Sequence, residues 1–406
     1  MTDSSDVIVV GAGPCGSYSA LVAAKLGMDV VVCEEHEEIG VPAHCLGHLS
    51  LSGLKRLGLT LPTRVVENEF KGAVFYSPSG KRVKIKLSSP VTCVVNRKSL
   101  DKHLAELALR AGAQYQLQSR VESLDFKRGL VKGVIAECGS SRQTLTSKIV
   151  IDAEGVRSSL LKKAGIQTLD RSMVLKGVEA EVERTDDLDR DMVEVYFGQR
   201  YAPGLFAWIA PKGDGSAKIG LATKRGNPRE YLYRFMQKHP IASRKLRKSE
   251  ITDLSFHPLS LGGPIPKTYS SQLLIVGDAA SQVKPTTGGG VIFGLLSSQI
   301  AGEVAYEAVQ NDDFSEGFLS LYERRWKEEI GFDFWVMRQL RKLLDRLSDK
   351  QMDKAISLCS RLRVNTVLEE VGDLDFQGRS LIHMLRHPNV LALVFHSLFS
   401  SLTSLA

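Results

Sequence analysis

The stretch that decides the fold is DVIVVGAGPCG, residues 6–16. Its first part is a short β-branched run, which is typical of a strand buried in a parallel sheet. Three glycines follow with the spacing G-x-G-x-x-G, and the apolar periodicity of residues 17–26 predicts a helix directly after them. A second apolar run, DVVVCE, predicts the next strand and ends at Glu34. This order of strand, glycine turn, helix and strand predicts a unit that binds a dinucleotide.

Each position of this pattern has its own physical task. Gly11 permits the tight turn, Gly13 lets the backbone approach a diphosphate, and Gly16 lets the helix pack closely against the strand. The first helical N–H groups and the helix dipole favour phosphate, and Cys15 lies in the same turn. Glu34 is predicted to accept hydrogen bonds from the ribose hydroxyls. The alternative is a plain glycine turn, and this unit alone leaves NAD and FAD open.

The composition limits the classes of function. The chain has 406 residues, enough for two or three lobes, and a formal charge of +7 that favours anionic partners. Its basic residues are spread along the chain, which argues against nucleic-acid binding. The six cysteines form no C-x-x-C, so we expect a reducing, cytoplasmic location without a metal site. We expect neither a signal peptide nor a membrane span. For residues 388–406 we predict a packed terminal helix or a surface contact with a membrane.

A second segment resembles a fingerprint of glutathione-reductase-type flavoproteins. An apolar strand ends in Gly277-Asp278, a turn rich in proline and glycine follows, and a long helix is predicted from Val291. The resemblance implies that Asp278 lies at the ribityl chain and diphosphate of FAD, and that the helix N-terminus faces the flavin. The further cofactor contacts that it implies in this segment are Gly289, Gly290 and Val291. The alternative is an ordinary strand, loop and helix with an aspartate cap.

Two more fingerprints, and a third segment with a weaker match at Val121, carry the same resemblance. Arg97 precedes a predicted helix, where these flavoproteins place an arginine near the ribityl and phosphate groups. Val121 matches the segment whose backbone meets the adenine. The residues Ala153-Glu154-Gly155 resemble the A-D-G element of the superfamily, with glutamate in place of its aspartate. Four such fingerprints in order imply FAD as the cofactor.

The middle of the chain is similar to the geranylgeranyl reductase family. Residues 193–222, VEVYFGQRYAPGLFAWIAPKGDGSAKIGLA, resemble the family segment close to PGGYAWIFPKG, and AHCLGHLS at residues 43–50 fits its C-x-G-x-x-S element. The similarity covers most of residues 5–310, and the archaeal digeranylgeranylglycerophospholipid reductases are its nearest subgroup. The departures from the family pattern are Leu205, Phe206 and Ala210.

The resemblance also implies a substrate site. It places Cys45, Leu46 and His48 along the flavin, where Cys45 either shapes the pocket, which we favour, or takes a direct catalytic part. Phe206 and Trp208 either line an apolar pocket or form an aromatic core pair. The further pocket residues that we predict, in a broad apolar stripe near the C-terminus, are Trp335 and Val336.

The predicted fold class is α/β, a Rossmann-like FAD-binding domain of glutathione-reductase type with an inserted antiparallel-sheet substrate domain and a helical C-terminal region. The predicted boundaries are 1–62, 93–165 and 263–310 for the FAD-binding domain, 63–92 and 166–262 for the substrate domain, and 311–406 for the helical region. The implied activity is FAD-dependent saturation of isolated double bonds in geranylgeranyl chains of ether lipids or prenyl diphosphates.

Rival functions and partners stay open at this point. The rivals on related folds are an aromatic monooxygenase, an electron-transfer flavoprotein dehydrogenase and a non-catalytic prenyl-lipid binding protein. The expected partners are an isoprenoid lipid, an electron donor that is either NAD(P)H or reduced ferredoxin, and the cytoplasmic membrane face through peripheral contact.

Overall fold

The computed structural model describes residues 4–43, 45–127, 129–139, 141–362, 366–367, 375–384 and 386–387. The terminal helix expected over 388–406 lies outside the described residues. The strands are β1 Ser4–Val10, β2 Val30–Cys33, β3 His48–Ser50, β4 Val66–Phe70, β5 Gly72–Tyr76, β6 Arg82–Lys86, β7 Thr92–Val95, β8 Gln114–Gln116, β9 Ser119–Lys127, β10 Leu130–Cys138, β11 Ser141–Asp152, β12 Val174–Glu183, β13 Met192–Tyr196, β14 Ala207–Pro211, β15 Ala217–Thr223, β16 Glu250–Ser260, β17 Tyr269–Ser270 and β18 Leu273–Ile275.

The α-helices alternate with these strands up to β18, and the described elements that follow β18 are all helical. They are α1 Pro14–Lys25, α2 Leu51–Arg56, α3 Arg97–Arg110, α4 Ser159–Lys163, α5 Pro228–Lys238, α6 Ala242–Leu246, α7 Val291–Asn311, α8 Glu316–Trp326, α9 Phe332–Arg346, α10 Asp349–Arg361 and α11 Gln377–Met384. A short 3-10 turn, Arg171–Met173, and a π turn, Lys327–Gly331, complete the described elements. Within the described ranges, no helix is both long and apolar enough to cross a bilayer.

The chain divides into two compact units. The first unit comprises Met1–Ala43, Arg97–Ser172 and Ser260–Phe334, and the second unit comprises His44–Asn96, Met173–Leu259 and Trp335–Ala406. Residues 44–62 therefore belong to the compact unit that holds the predicted substrate domain. Residues 311–334 belong to the first unit.

The first unit is built on a mixed sheet. Its strands run in the order β17-β18-β11-β1-β2-β8, with β10 and β9 added beside β11. Strand β1 is parallel to both β11 and β2, as the buried apolar run predicted. Because α1 follows β1 directly and α7 follows β18, both helices begin close to the carboxyl edge of this sheet, where ligands of such folds bind.

The second unit holds two sheets. Strands in the order β16-β12-β15-β14-β13-β5-β6 form the larger one, and β3-β7-β4 form a small antiparallel sheet. The larger sheet is mostly antiparallel, but β13 and β5 run parallel. One face packs on α5 and α6, with Tyr196, Ile209 and Phe235 in its buried core. The opposite face carries the alternate residues, which include Trp208. These sheets confirm the predicted α/β fold class with a second, largely antiparallel domain.

Candidate cofactor and substrate site

In the glycine turn between β1 and α1, two glycines are tightly packed and the third borders open space. A Cβ atom on Gly16 would lie 1.9 Å from the carbonyl oxygen of Gly11, and one on Gly11 would lie 2.7 Å from that of Ala153. Both positions therefore exclude any side chain. A Cβ atom on Gly13 would meet no atom within 4 Å. The turn is thus closed on the protein side and open at Gly13, as the approach of a diphosphate requires.

The N-terminus of α1 is free of side-chain caps. Its N-cap is Gly13, and the first turn contains no acidic residue. The thiol of Cys15 points away from this end, because a Cβ atom on Gly277 or Gly294 would lie 2.6 or 2.5 Å from its sulfur. Burial raises the pKa of Cys15 to about 12. The thiol is therefore neutral and packed, and only the backbone of Cys15 is available to a phosphate.

Glu34 is fixed at the end of β2. Its two carboxylate oxygens accept hydrogen bonds from the backbone N–H of Ala12 at 2.7 Å and of His36 at 3.0 Å. The backbone N–H of Ser119 donates to the carbonyl of Glu34 at 2.7 Å, which places the start of β9 and Val121 beside it. A carboxylate has about four acceptor positions, so Glu34 keeps capacity for ribose hydroxyls.

A second helix N-terminus stands open at α7. Its N-cap is Gly290, without a side-chain cap or an acid in the first turn of this 21-residue helix. Asp278 is exposed to solvent, yet burial raises the pKa of its carboxyl, while the positive charge of Arg97 lowers it. The Arg97 guanidinium is held by Asp101 at 3.2 Å, one turn along α3.

The structure explains the glutamate that replaces the family aspartate. The Glu154 carboxylate accepts hydrogen bonds from the backbone N–H groups of Ser159 and Leu160, each at 2.8 Å, and so caps α4. The acid that sequence reasoning missed is Asp152, the last residue of β11. It is fully buried, accepts from the N–H of Glu154 at 3.0 Å, and has a second oxygen without a partner among the described residues. Burial and the nearby charge of Glu154 raise the pKa of Asp152 well above its usual value.

In the second unit, the C-x-G-x-x-S element forms a loop that leads into β3. Cys45 is half-buried, and its sulfur accepts a hydrogen bond from the backbone N–H of Gly47 at 3.4 Å. Gly47 has a φ of 72°, a conformation that favours glycine. The exposed His48 ring shares a 2.8 Å hydrogen bond with the Thr92 hydroxyl. Ser50 caps α2 by accepting from Gly53 at 3.0 Å.

A row of aromatic side chains crosses one face of the larger sheet. The ring centroids of Phe75 and Phe197 are 6.4 Å apart, those of Phe197 and Phe206 6.0 Å, and those of Phe206 and Trp208 6.2 Å. Trp208 is 7% exposed, and its indole N–H has no partner within the described part of the chain. The indole lies against Gly220 of the neighbouring strand, where a Cβ atom would be 2.4 Å from the ring. We call Phe75, Phe197, Phe206 and Trp208 the aromatic row.

The other two predicted pocket residues lie on α9 with different surroundings. Trp335 is 60% exposed, whereas Val336 is 6% exposed. Neighbours on a helix point about 100° apart, so both cannot serve one apolar wall equally. Ala210, which departs from the family pattern, is fully buried in a cluster with Phe70, Val94 and Val193, against which Leu46 packs.

Comparisons with known proteins agree with this geometry. A family profile described as an FAD binding domain matches residues 4–295. The digeranylgeranylglycerophospholipid reductase of Methanocaldococcus jannaschii is 36% identical over 355 residues, which cover 87% of this chain and 90% of the relative. Digeranylgeranylglycerophospholipid reductase 2 of Methanothermobacter thermautotrophicus is 36% identical over 381 residues, 90% of this chain and 96% of the relative. The chain belongs to the digeranylgeranylglycerophospholipid reductase family.

This reductase also shares its fold with solved structures of other proteins. A geranylgeranyl bacteriochlorophyll reductase-like protein from Thermoplasma acidophilum has a TM-score of 0.84 and 30% identity, covering 88% of this chain and 91% of that one. The flavin-dependent brominase Bmp2 has a TM-score of 0.72 at 18% identity, covering 92% of this chain and 94% of that one, and shares the fold alone. The reductase is an FAD-dependent oxidoreductase. Two uncapped helix N-termini and the open space at Gly13 fit the diphosphate and the electron-rich flavin.

Proposed function

We propose that this reductase saturates isolated double bonds in geranylgeranyl chains of membrane ether lipids. The observation that carries the proposal is the aromatic row, since a surface of rings is suited to a chain with no charge and no hydrogen-bonding group. The names of the relatives support the same substrate class. Reduced FAD, when bound, supplies the hydride chemistry.

We further propose which residues hold the cofactor. The backbone of the α1 turn and Arg97 bind the diphosphate and ribityl groups, and Asp278 binds the ribityl chain. The open N-terminus of α7 stabilises negative charge on the reduced flavin through its dipole and free N–H groups. The full set of proposed cofactor residues is Gly11, Gly13, Cys15, Gly16, Glu34, Cys45, Leu46, His48, Arg97, Val121, Asp278, Gly289, Gly290 and Val291.

The proposed substrate residues act by shape. Phe206, Trp208 and the buried Val336 hold the isoprenoid and exclude water, and Cys45 shapes the place where the alkene meets the flavin. Its role is positional. The domain boundaries given above remain part of this proposal.

The test is anaerobic mixing of the photoreduced holoenzyme with a geranylgeranyl ether lipid. We expect the flavin to reoxidise and the lipid to gain two mass units per saturated bond. Photoreduction bypasses the natural donor, so the result does not depend on whether NAD(P)H or reduced ferredoxin serves in the cell. A fully saturated lipid of equal length is the control and should leave the flavin reduced. If the flavin stays reduced with every geranylgeranyl lipid, the proposed substrate is wrong.

We also propose that the reductase contacts the membrane surface peripherally through α9. The exposed Trp335 is followed on the same helical face by Arg338, Lys342 and Arg346, which are all exposed. An interfacial tryptophan with basic neighbours suits anionic headgroups, and the formal charge of +7 adds attraction. Such contact at the cytoplasmic face would bring the enzyme to its lipid.

Sedimentation with vesicles tests this surface. We expect Trp335→Ala to weaken binding to vesicles that contain phosphatidylserine by roughly tenfold, because an apolar ring no longer enters the interface. Phe256→Ala is the matched control, since Phe256 is an exposed aromatic residue (46%) on β16. Equal binding of both variants and the wild type would exclude α9 as the contact.

A further inference from the structure

Strand β15 carries a lysine where a strand buried on both faces calls for an apolar residue. The Lys218 side chain is only 4% exposed. Its ammonium nitrogen lies 2.8 Å from a Glu67 carboxylate oxygen and donates to the backbone carbonyls of Val95 at 3.0 Å and Leu46 at 3.4 Å. Two of the three N–H donors of this ammonium are thus bonded to backbone carbonyls, and the Glu67 carboxylate balances its charge at ion-pair distance.

Lys218 belongs to a cluster of opposite charges. Lys212 on the same side of the sheet lies 3.2 Å from Glu67 and 3.0 Å from Glu181, so two lysines face two glutamates. Burying such a cluster costs free energy that an apolar residue at position 218 would avoid, so stability alone does not account for this lysine. Lys218 donates to the carbonyls of Leu46 and Val95, whereas Lys212 donates to Glu181.

The Leu46 carbonyl lies in the loop that carries Cys45, and the Val95 carbonyl lies at the end of β7, which is hydrogen-bonded to that loop. Leu46 follows Cys45 directly, and the N–H of Val95 donates to the carbonyl of Gly47 at 3.0 Å. Lys218 therefore connects the larger sheet to this loop in two ways. It bonds directly to the Leu46 carbonyl, and it bonds to the end of β7, which is itself hydrogen-bonded to Gly47. The half-buried Leu46 side chain packs against the cluster that contains Ala210, and Ala210 pairs with Lys218 across β14 and β15.

We propose that Lys218 is a positioning residue, whose ammonium, fixed by Glu67, holds the backbone of Leu46 and so sets the place of Cys45 and its loop for the reaction. This inference rests on the proposed function, in which that loop meets flavin and alkene. It assigns to a buried cation of the substrate domain the task of presenting the double bond.

Lys218→Met tests the proposal, because methionine keeps most of the chain length and removes the three hydrogen-bond donors. Glu67 keeps Lys212 as its partner in this variant, so we expect the holoenzyme to fold and to retain FAD. Lys212→Met is the matched control, since it removes a charge from the same cluster without touching the loop. Two measurements apply to the holoenzyme: the rate of Cys45 alkylation by iodoacetamide, resolved by mass spectrometry, and flavin reoxidation by geranylgeranyl lipid.

We expect Lys218→Met to raise the alkylation rate of Cys45 several-fold and to slow lipid-driven reoxidation by roughly ten- to a hundredfold. Reoxidation by oxygen, which needs no positioned alkene, should stay within about twofold of the wild type. Lys212→Met should change neither the alkylation rate of Cys45 nor the rates of flavin reoxidation by lipid and by oxygen. Unchanged alkylation of Cys45 in Lys218→Met overturns the positioning role, and so does a changed alkylation rate with normal lipid-driven reoxidation.

Failure of the proposed function gives a different pattern. A wild-type enzyme that ignores the lipid, together with a faster-reacting Cys45 in Lys218→Met, supports the loop contact and rejects the substrate. Should Lys218→Met fail to fold, the double variant K218M/E67Q removes both partners of the pair and leaves Lys212 with Glu181. The same two measurements then decide the question.

Discussion

A Gly13→Asp variant will purify as a folded protein without bound flavin. The position has a φ of −65°, which any residue adopts, and a Cβ atom there meets no protein atom within 4 Å. Aspartate is a preferred N-cap residue, so α1 should be as stable as before or slightly more so. The new carboxylate, however, occupies the space and the positive helix end that the diphosphate requires. We expect FAD affinity to fall at least about a hundredfold, which is about 3 kcal/mol.

Flavin absorbance after reconstitution and the melting temperature of the apoprotein measure the two effects separately. Gly16→Ala is the contrasting variant, because its Cβ atom would lie 1.9 Å from the Gly11 carbonyl oxygen and should destabilise the apoprotein itself. Gly13→Ala tests how much of the effect is steric. A Gly13→Asp protein that retains stoichiometric FAD would show that the diphosphate does not bind at this turn.

A Gly220→Ala variant will lose both stability and turnover of the lipid. Its Cβ atom would lie 2.4 Å from the Trp208 ring and 2.7 Å from the Val178 carbonyl oxygen. Neither neighbour can yield freely inside a sheet, so we expect the free energy of unfolding to fall by about 3 kcal/mol. Displacing the indole also breaks the aromatic row, and flavin reoxidation by geranylgeranyl lipid should slow at least about tenfold. Denaturant unfolding and stopped-flow absorbance measure these quantities.

A double-mutant cycle with Trp208→Leu isolates the contribution of the ring. The smaller side chain relieves the clash with the indole and leaves the clash with Val178, so part of the lost stability should return. We expect a coupling free energy of roughly 1–2 kcal/mol. If Gly220→Ala costs the same free energy with leucine at position 208, the indole does not lie over Gly220.

The architecture was accessible from the sequence because its signals are local. The β-branched run of β1, the glycine spacing of the turn and the apolar run of β2 each act within a few residues. Helix α1 begins at Pro14 rather than at the predicted Ser17, since proline is favoured in the first turn although it breaks apolar periodicity. The parallel pairing of β13 and β5 was not predicted, because it joins strands far apart in sequence.

The parts of the site that escaped prediction depend on distant partners. A lysine on a strand usually indicates a solvent-facing position, and only the folded chain brings Glu67, Val95 and Leu46 around Lys218. Similarly, Ser50 of the C-x-G-x-x-S element donates to Asp375, which lies far along the chain. No short motif encodes such contacts.

The interleaved chain path also affects biosynthesis. In the sheet of the first unit, Val10 pairs with Asp152 and Asp152 pairs with Ile275, so one of the two neighbours of the amino-terminal strand is synthesised long after it. Strand pairings between residues so distant in sequence form slowly. Until they form, the unpaired strand edges are prone to aggregation. Because each compact unit is assembled from three separate stretches, no single cut in the gene would release either one whole.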